Sequence, residues 1–232
     1  MRVLYLHGFA SSAHSSKATY FKEKLASKGI AMVVPDLNEP DFSTLTVSRM
    51  LQQAGAAIEI EDGDEPVVVI GSSLGGFVAV QLALRHGARV QRVVLLAPAL
   101  EFDGDRLSTL GDRGLDDWKA SNRLEVFHYG YGRRMSVQYG LYADSRQYNS
   151  FDSRLTQPVQ VFQGRGDTAV DPVTVERWAA ARPNVELHLL DDDHQLYRSL
   201  DYVWKEMWKF LQDFTSRSPD TVPESPRDRP SP

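Results

Sequence analysis

The stretch Val67-Val68-Val69-Ile70-Gly71-Ser72-Ser73-Leu74-Gly75-Gly76 constrains the fold of this chain more than any other. An unbroken run of branched aliphatic residues reads as a strand covered on both faces, and Leu74–Arg85 after it reads as a helix. Between them lies Gly-x-Ser-x-Gly. A chain that passes from buried strand to helix in so short a turn holds the central residue in a strained conformation, and only small side chains fit two positions to either side. Gly71 and Gly75 meet that demand around Ser73, and Gly76 lets the helix pack closely. The turn also aims the helix N-terminus at a bound acyl oxygen, where negative charge develops. Ser72 is adjacent but lacks glycine at both flanking positions, so it is expected to hydrogen-bond locally.

The rest of the chain repeats the pattern. Strand candidates are Val3–Leu6, Ala31–Val34, Val67–Ile70, Arg92–Leu96, Val159–Phe162 and Val185–Leu190. Helix candidates are Lys17–Ser27, Val47–Ile60, Leu74–Arg85, Val173–Ala181 and Tyr202–Phe214, with Asp171-Pro172 as an N-cap and first-turn proline. This alternation predicts the α/β class, a mostly parallel twisted sheet of about six strands with helices on both faces. One segment breaks it. Residues Glu101–Asp152, between the fourth and fifth strands, are too long for a crossover and rich in aromatics, which predicts a cap-like insertion. A single domain is expected over residues 1–214, followed by a disordered tail over 215–232 that is nearly devoid of apolar residues.

Charge and cysteine usage narrow the chemistry. A net charge of −5, with a pI near 5.7, argues against nucleic-acid or anionic-membrane partners. With no cysteine, disulfides, thiolate metal sites and a cysteine nucleophile are excluded. No His-x-x-x-His or comparable cluster suggests a metal, and Asp191–Asp193 reads as a solvated acidic turn. No apolar run reaches the roughly 20 residues that span a bilayer, and the N-terminus carries no secretory signal, so the expected address is cytoplasmic.

A serine hydroxyl needs a base, and the base needs an acid to orient it. Of six histidines, His188 lies within a predicted strand, His86 ends a helix, His128 falls in the insertion and His14 in a serine-rich loop. His7 and His194 remain. His194 follows the last strand, at the end of the sheet where open α/β folds place their sites. Asp167, in the turn after Val159–Phe162, is the candidate acid, whereas Asp171 is better explained as a helix cap. Ser73, Asp167 and His194 therefore stand in the order Ser, Asp, His on three strand ends. For the oxyanion of an acyl transfer, one N–H is expected from Leu74 and a second from the loop Leu6-His7-Gly8-Phe9-Ala10-Ser11-Ser12, with Phe9 the candidate and His7 shaping the turn.

Taken together, Leu6-His7-Gly8-Phe9 and Gly71-Ser72-Ser73-Leu74-Gly75-Gly76 make the chain similar to α/β-hydrolases, and it resembles in particular the small bacterial YqiA-like esterases. The resemblance implies a core without that superfamily's first two strands, carboxylesterase or thioesterase activity on modest acyl groups, and no cofactor. It also implies an oxyanion loop of single-glycine type. The insertion is longer than in the most compact members, and Asp193-His194-Gln195-Leu196 replaces a Gly-rich version common there.

The expected activity is hydrolysis of a small-molecule ester of short to medium acyl chain, with no metal and with the oligomeric state left open. Trp118, Phe127 and Tyr129 of the insertion are the candidate substrate contacts; filling the insertion's own small core is the other role open to these aromatics. An acyl-CoA thioesterase is a second reading, with Arg133-Arg134 available to phosphates, and a non-catalytic binding protein that retains the fold is a third.

Overall fold

The structure, a computed structural model, describes residues 1–59, 65–102 and 111–215, with side chains at 111–113 and 213–215 outside the description. Six strands, β1 (Arg2–Leu6), β2 (Met32–Val33), β3 (Val67–Ser72), β4 (Val90–Leu96), β7 (Val159–Gly164) and β8 (Val185–Leu190), form one parallel sheet in the order β2-β1-β3-β4-β7-β8. Each is the predicted apolar run: β8 has the predicted bounds, β2 is one residue shorter at each end, and the others are longer by one or two residues at one end. The helices are α1 (Ser16–Ala26), α2 (Val47–Glu59), α3 (Leu74–Arg85), α4 (Gly111–Ser121), α5 (Gly140–Ser145), α6 (Pro172–Ala180) and α7 (Leu200–Thr215). Ile60, the predicted end of the second helix, and the tail from 216 onward lie outside the described residues.

Strand parity sorts the core into two layers, because successive side chains leave a strand on opposite faces. Val3, Tyr5, Val68, Ile70, Val94 and Leu96 meet Ala18, Phe21 and Leu25 of α1 and Val203, Met207 and Leu211 of α7. Leu4, Leu6, Val67, Val69, Val93 and Leu95 meet α2, α3 and α6 through Met50, Ala54, Phe77, Val80, Val175 and Trp178. Both faces are thus covered, and this explains why the strands read as continuous apolar runs without alternation.

Topology then fixes where a site can lie. The chain moves from β1 out to β2 at one edge and then crosses to β3 on the other side of β1. Adjacent strands that leave in opposite directions open a crevice at their carboxyl ends, here between β1 and β3. The insertion between β4 and β7 supplies α4, α5 and an antiparallel hairpin, β5 (Leu124–His128) and β6 (Arg133–Val137), whose register pairs Val126 with Met135 and Phe127 with Arg134. The sequence reading placed no strands here. Among the described residues, no helix is long and apolar enough to cross a membrane.

Candidate active site

Ser73 stands at the carboxyl end of β3 with φ +54° and ψ −119°, a region L-residues rarely occupy. The surroundings hold it there. Its N–H donates to the Leu96 carbonyl (2.9 Å), and its carbonyl accepts from Gly76 (2.8 Å) and Ala99 (3.1 Å). A Cβ at Gly71 would lie 2.7 Å from the Gly76 Cα and one at Gly75 2.6 Å from the Leu6 carbonyl carbon, so both positions exclude any side chain. Ser72, 4% exposed, belongs to the opposite face of the sheet, beside the buried Tyr5 hydroxyl. Burial pushes that phenol above its ordinary range.

His194 lies in the loop between β8 and α7, and Asp167 in the turn after β7. The imidazole Nδ1 is 2.7 Å from Asp167 Oδ2, and Nε2 is 3.1 Å from Ser73 Oγ. A carboxylate only accepts, so the ring proton sits on Nδ1 and Nε2 is left to accept from the serine hydroxyl. Asp167 is fully engaged: Oδ1 accepts from the Ala169 and Val170 amides, both at 2.8 Å, and Oδ2 also accepts from Gln163 Nε2 at 2.9 Å. Burial works to raise this carboxyl, but the hydrogen bond and charge of His194, with the Val170 and Gln163 donors, outweigh it and hold it below the ordinary carboxylate range.

Two residues in this corner escaped the sequence reading. Gln163 ties the carboxylate from within β7, and a Cβ at Gly164 would lie 2.5 Å from the Asp193 carbonyl oxygen, so glycine there lets the histidine loop close on the aspartate turn. A third was misread. Asp191–Asp193 is not a uniformly solvated turn: Asp192 is 3% exposed, accepting from the Asp193 amide (2.8 Å) and the Ser199 amide (2.9 Å). It braces the loop that carries His194, which reverses through a left-handed Leu196 (φ +57°).

Opposite Ser73, the loop after β1 approaches closely: a Cβ at Gly8 would be 3.1 Å from the Ser73 Cβ. His7 shapes this loop. The Leu37 N–H donates to its Nε2 (3.0 Å), which leaves the ring proton on Nδ1 for the Gly8 carbonyl (3.0 Å). That carbonyl belongs to the same planar peptide as the Phe9 N–H, so anchoring one edge orients the other. Among the described residues, neither the Phe9 nor the Leu74 N–H meets a hydrogen-bond acceptor, although Leu74 is buried. Such donors are uncommon in folded proteins.

The insertion aromatics divide. Trp118 is 2% exposed, donates Nε1–H to the Val137 carbonyl (2.9 Å) and packs edge-on to Tyr139, so it fills the insertion's own core. Phe127 and Tyr129 contact each other edge-to-face on the exposed side of the hairpin, with Tyr129 77% exposed. The Tyr129 N–H donates to the Ala10 carbonyl (2.8 Å), one residue from Phe9. Buried His128 stacks on Tyr131 at 4.1 Å, and burial lowers its pKa.

One further charge bears on the site's stability. Lys17, in the first turn of α1, is 7% exposed, and burial brings its amine down to about 8, against the pull of Asp167, Asp193 and Asp192. Between that value and the ordinary 10.5 the unfolded chain holds a proton the folded chain has released, so stability rises with pH across this window and the full penalty is present below it. Lys17→Met is expected to raise stability at pH 7 by roughly 1–3 kcal/mol, with the gain fading toward pH 10, as read from urea midpoints at the two pH values. An unchanged or lowered midpoint at pH 7 contradicts this reading of the buried amine.

In comparisons with known proteins, residues 2–212 match the model of the family described as Uncharacterised protein family (UPF0227). Among solved structures, the chain is similar to Est1E from Butyrivibrio proteoclasticus with ferulic acid bound (TM-score 0.81, 19% identity, 93% of this chain and 89% of that one). It is also similar to mouse alpha/beta hydrolase domain-containing protein 10 (TM-score 0.76, 18% identity, 91% and 90%). At these identities the likeness is one of fold. A curated relative, the lipase LipV of Mycobacterium tuberculosis, is 36% identical over 87 residues, which cover 36% of this chain and 33% of the lipase. The chain thus matches about a third of that lipase's length. The family match spans nearly all the described residues and the sheet is that of the α/β hydrolases, so the chain belongs to the UPF0227 family and has the α/β-hydrolase fold.

Proposed function

We propose that the protein is a serine hydrolase that cleaves carboxylic esters of short to medium acyl chains through an acyl-enzyme on Ser73. The observation that carries this reading is the unbroken series from Ser73 Oγ to His194 Nε2 (3.1 Å) and from His194 Nδ1 to Asp167 (2.7 Å), set on a strained serine. Such a serine is of no use to a protein that only binds.

In the proposed sequence, Ser73 Oγ attacks the ester carbonyl as His194 Nε2 takes its proton. Asp167 keeps the imidazole in the accepting tautomer and stabilises the imidazolium. The Phe9 and Leu74 amides receive the oxyanion, and each such donor contributes about 10²–10³-fold to turnover. His194 then protonates the departing alcohol. Water, activated by the same histidine, releases the acid and restores the serine. Phe127 and Tyr129, exposed on the hairpin beside the Phe9 loop, are the proposed substrate contacts.

Steady-state hydrolysis of p-nitrophenyl esters from acetate to palmitate, set beside matched thioesters, tests this. The expected result is turnover with an optimum at short to medium chains and a preference for the oxygen ester. Faster thioester cleavage transfers the same machinery to a thioesterase, and no turnover on either class overturns the reading.

A further inference from the structure

We infer that the tip of the β5–β6 hairpin, residues His128–Tyr131, is a positioning element for the oxyanion loop, so that part of the insertion belongs to the catalytic framework. The inference rests on the ester-hydrolase reading above. The loop after β1 needs external support: Ala10 has φ +53°, a left-handed conformation that disfavours any side chain. Its carbonyl accepts from the hairpin amides of Tyr129 (2.8 Å) and Gly130 (3.4 Å). The next carbonyl, Ser11, accepts from Asn38 Nδ2 at 2.8 Å, and Asn38 in turn lies 3.5 Å from the Tyr131 hydroxyl. A second path runs through rings: His128 stands edge-on to Phe42 (4.6 Å between centroids), and Phe42 packs against Phe9 (5.5 Å).

The fit at the tip is tight at one point. A Cβ at Gly130 would lie 2.7 Å from the Ser12 Cβ, 2.9 Å from its Oγ and 3.0 Å from the Ser11 carbonyl carbon. Gly130 has no left-handed backbone, so alanine there is conformationally allowed and acts only by prising hairpin and loop apart. The contact that yields is Ser12 on one side or the Tyr129–Ala10 hydrogen bond on the other. Loss of that hydrogen bond frees Ala10 to relax, and the Phe9 peptide moves with it.

The test compares wild type, Ser73→Ala, Gly130→Ala, Ser12→Gly and the Ser12→Gly/Gly130→Ala pair on one p-nitrophenyl ester. Turnover is expressed per site titrated with a fluorophosphonate, and inhibition by a phenylboronic acid serves as a tetrahedral oxyanion mimic. Gly130→Ala is expected to lower kcat by about tenfold or more with KM within about twofold, because an oxyanion contact is made in the transition state. Boronate affinity should fall with kcat. Ser12→Gly removes the two closest atoms and leaves only the Ser11 carbonyl carbon at 3.0 Å, so the pair should recover most of the loss toward the level of Ser12→Gly alone; this rescue also provides a folded comparator if Gly130→Ala is poorly soluble. Undiminished kcat in Gly130→Ala, or a loss neither rescued by Ser12→Gly nor mirrored in boronate affinity, overturns the inference while leaving the nucleophile assignment intact. Wild-type turnover equal to that of Ser73→Ala defeats the hydrolase reading and takes this inference with it.

Discussion

Ser73→Ala is expected to lower ester turnover by about 10⁴-fold or more, and Asp167→Asn by about 10³–10⁴-fold, both without loss of fold. The first removes the attacking oxygen from a position whose backbone is fixed by Leu96, Gly76 and Ala99 rather than by its own side chain. The second is the more informative. Asp167 Oδ1 accepts two amide N–H groups, so the single carbonyl oxygen of asparagine is claimed there, and its NH₂ faces His194 Nδ1 and Gln163 Nε2. A donor facing Nδ1 drives the ring proton to Nε2, and Nε2 then has no lone pair for the Ser73 hydroxyl. The side chain is nearly isosteric, yet the relay runs the wrong way. The p-nitrophenyl assay decides it: Asp167→Asn turning over within a few-fold of wild type would mean that the aspartate does not set the tautomer.

The largest structural effect is expected at Gly75. An added Cβ would sit 2.6 Å from the Leu6 carbonyl carbon and 2.8 Å from the His7 carbonyl oxygen, both backbone, at the end of β1 and the start of the Phe9 loop. Neither α3 nor β1 can give way without breaking the sheet register that pairs Leu6 with Gly71. Gly75→Ala is therefore expected to cost about 3 kcal/mol or more and to cut soluble yield sharply. Gly140, where an added Cβ meets nothing within 4 Å at the start of α5, is the internal control, and alanine there should be neutral or slightly stabilising. Urea midpoints of the two variants measure this. A Gly75→Ala midpoint equal to wild type would contradict the close packing of the turn.

Much of this was legible in the sequence for one physical reason: residues buried on both faces of a sheet leave long apolar runs, and a strand-to-helix turn under strain admits only glycine at its flanks. Val67–Gly76 carried both signals, and Asp167 and His194 followed from strand ends and chain order. The hairpin was not legible. Leu124–His128 is short and its alternation breaks at Val126-Phe127, and Arg133-Arg134 opens its partner strand with two charges, so neither run stands out against a loop. The Tyr-Gly-Tyr-Gly between them was the available signal. Trp118 could not be assigned between core and pocket because its burial depends on Val137 and Tyr139, which reach it only in the folded insertion. Asp192 and Lys17 were hidden for a similar reason. Charged residues in an acidic turn and in the first turn of an amphipathic helix read as solvated, and only the folded chain buries them, with Lys17 within electrostatic reach of Asp167, Asp193 and Asp192.

The nucleophile itself is read most directly by incubating the protein with a fluorophosphonate and locating the adduct by intact mass and peptide mapping. The expected result is about one phosphonyl group per chain, on the peptide that contains Ser73, absent from Ser73→Ala and strongly slowed in His194→Ala. No incorporation, or an adduct on Ser72 or elsewhere that persists in Ser73→Ala, would contradict the assignment of Ser73 as the activated serine.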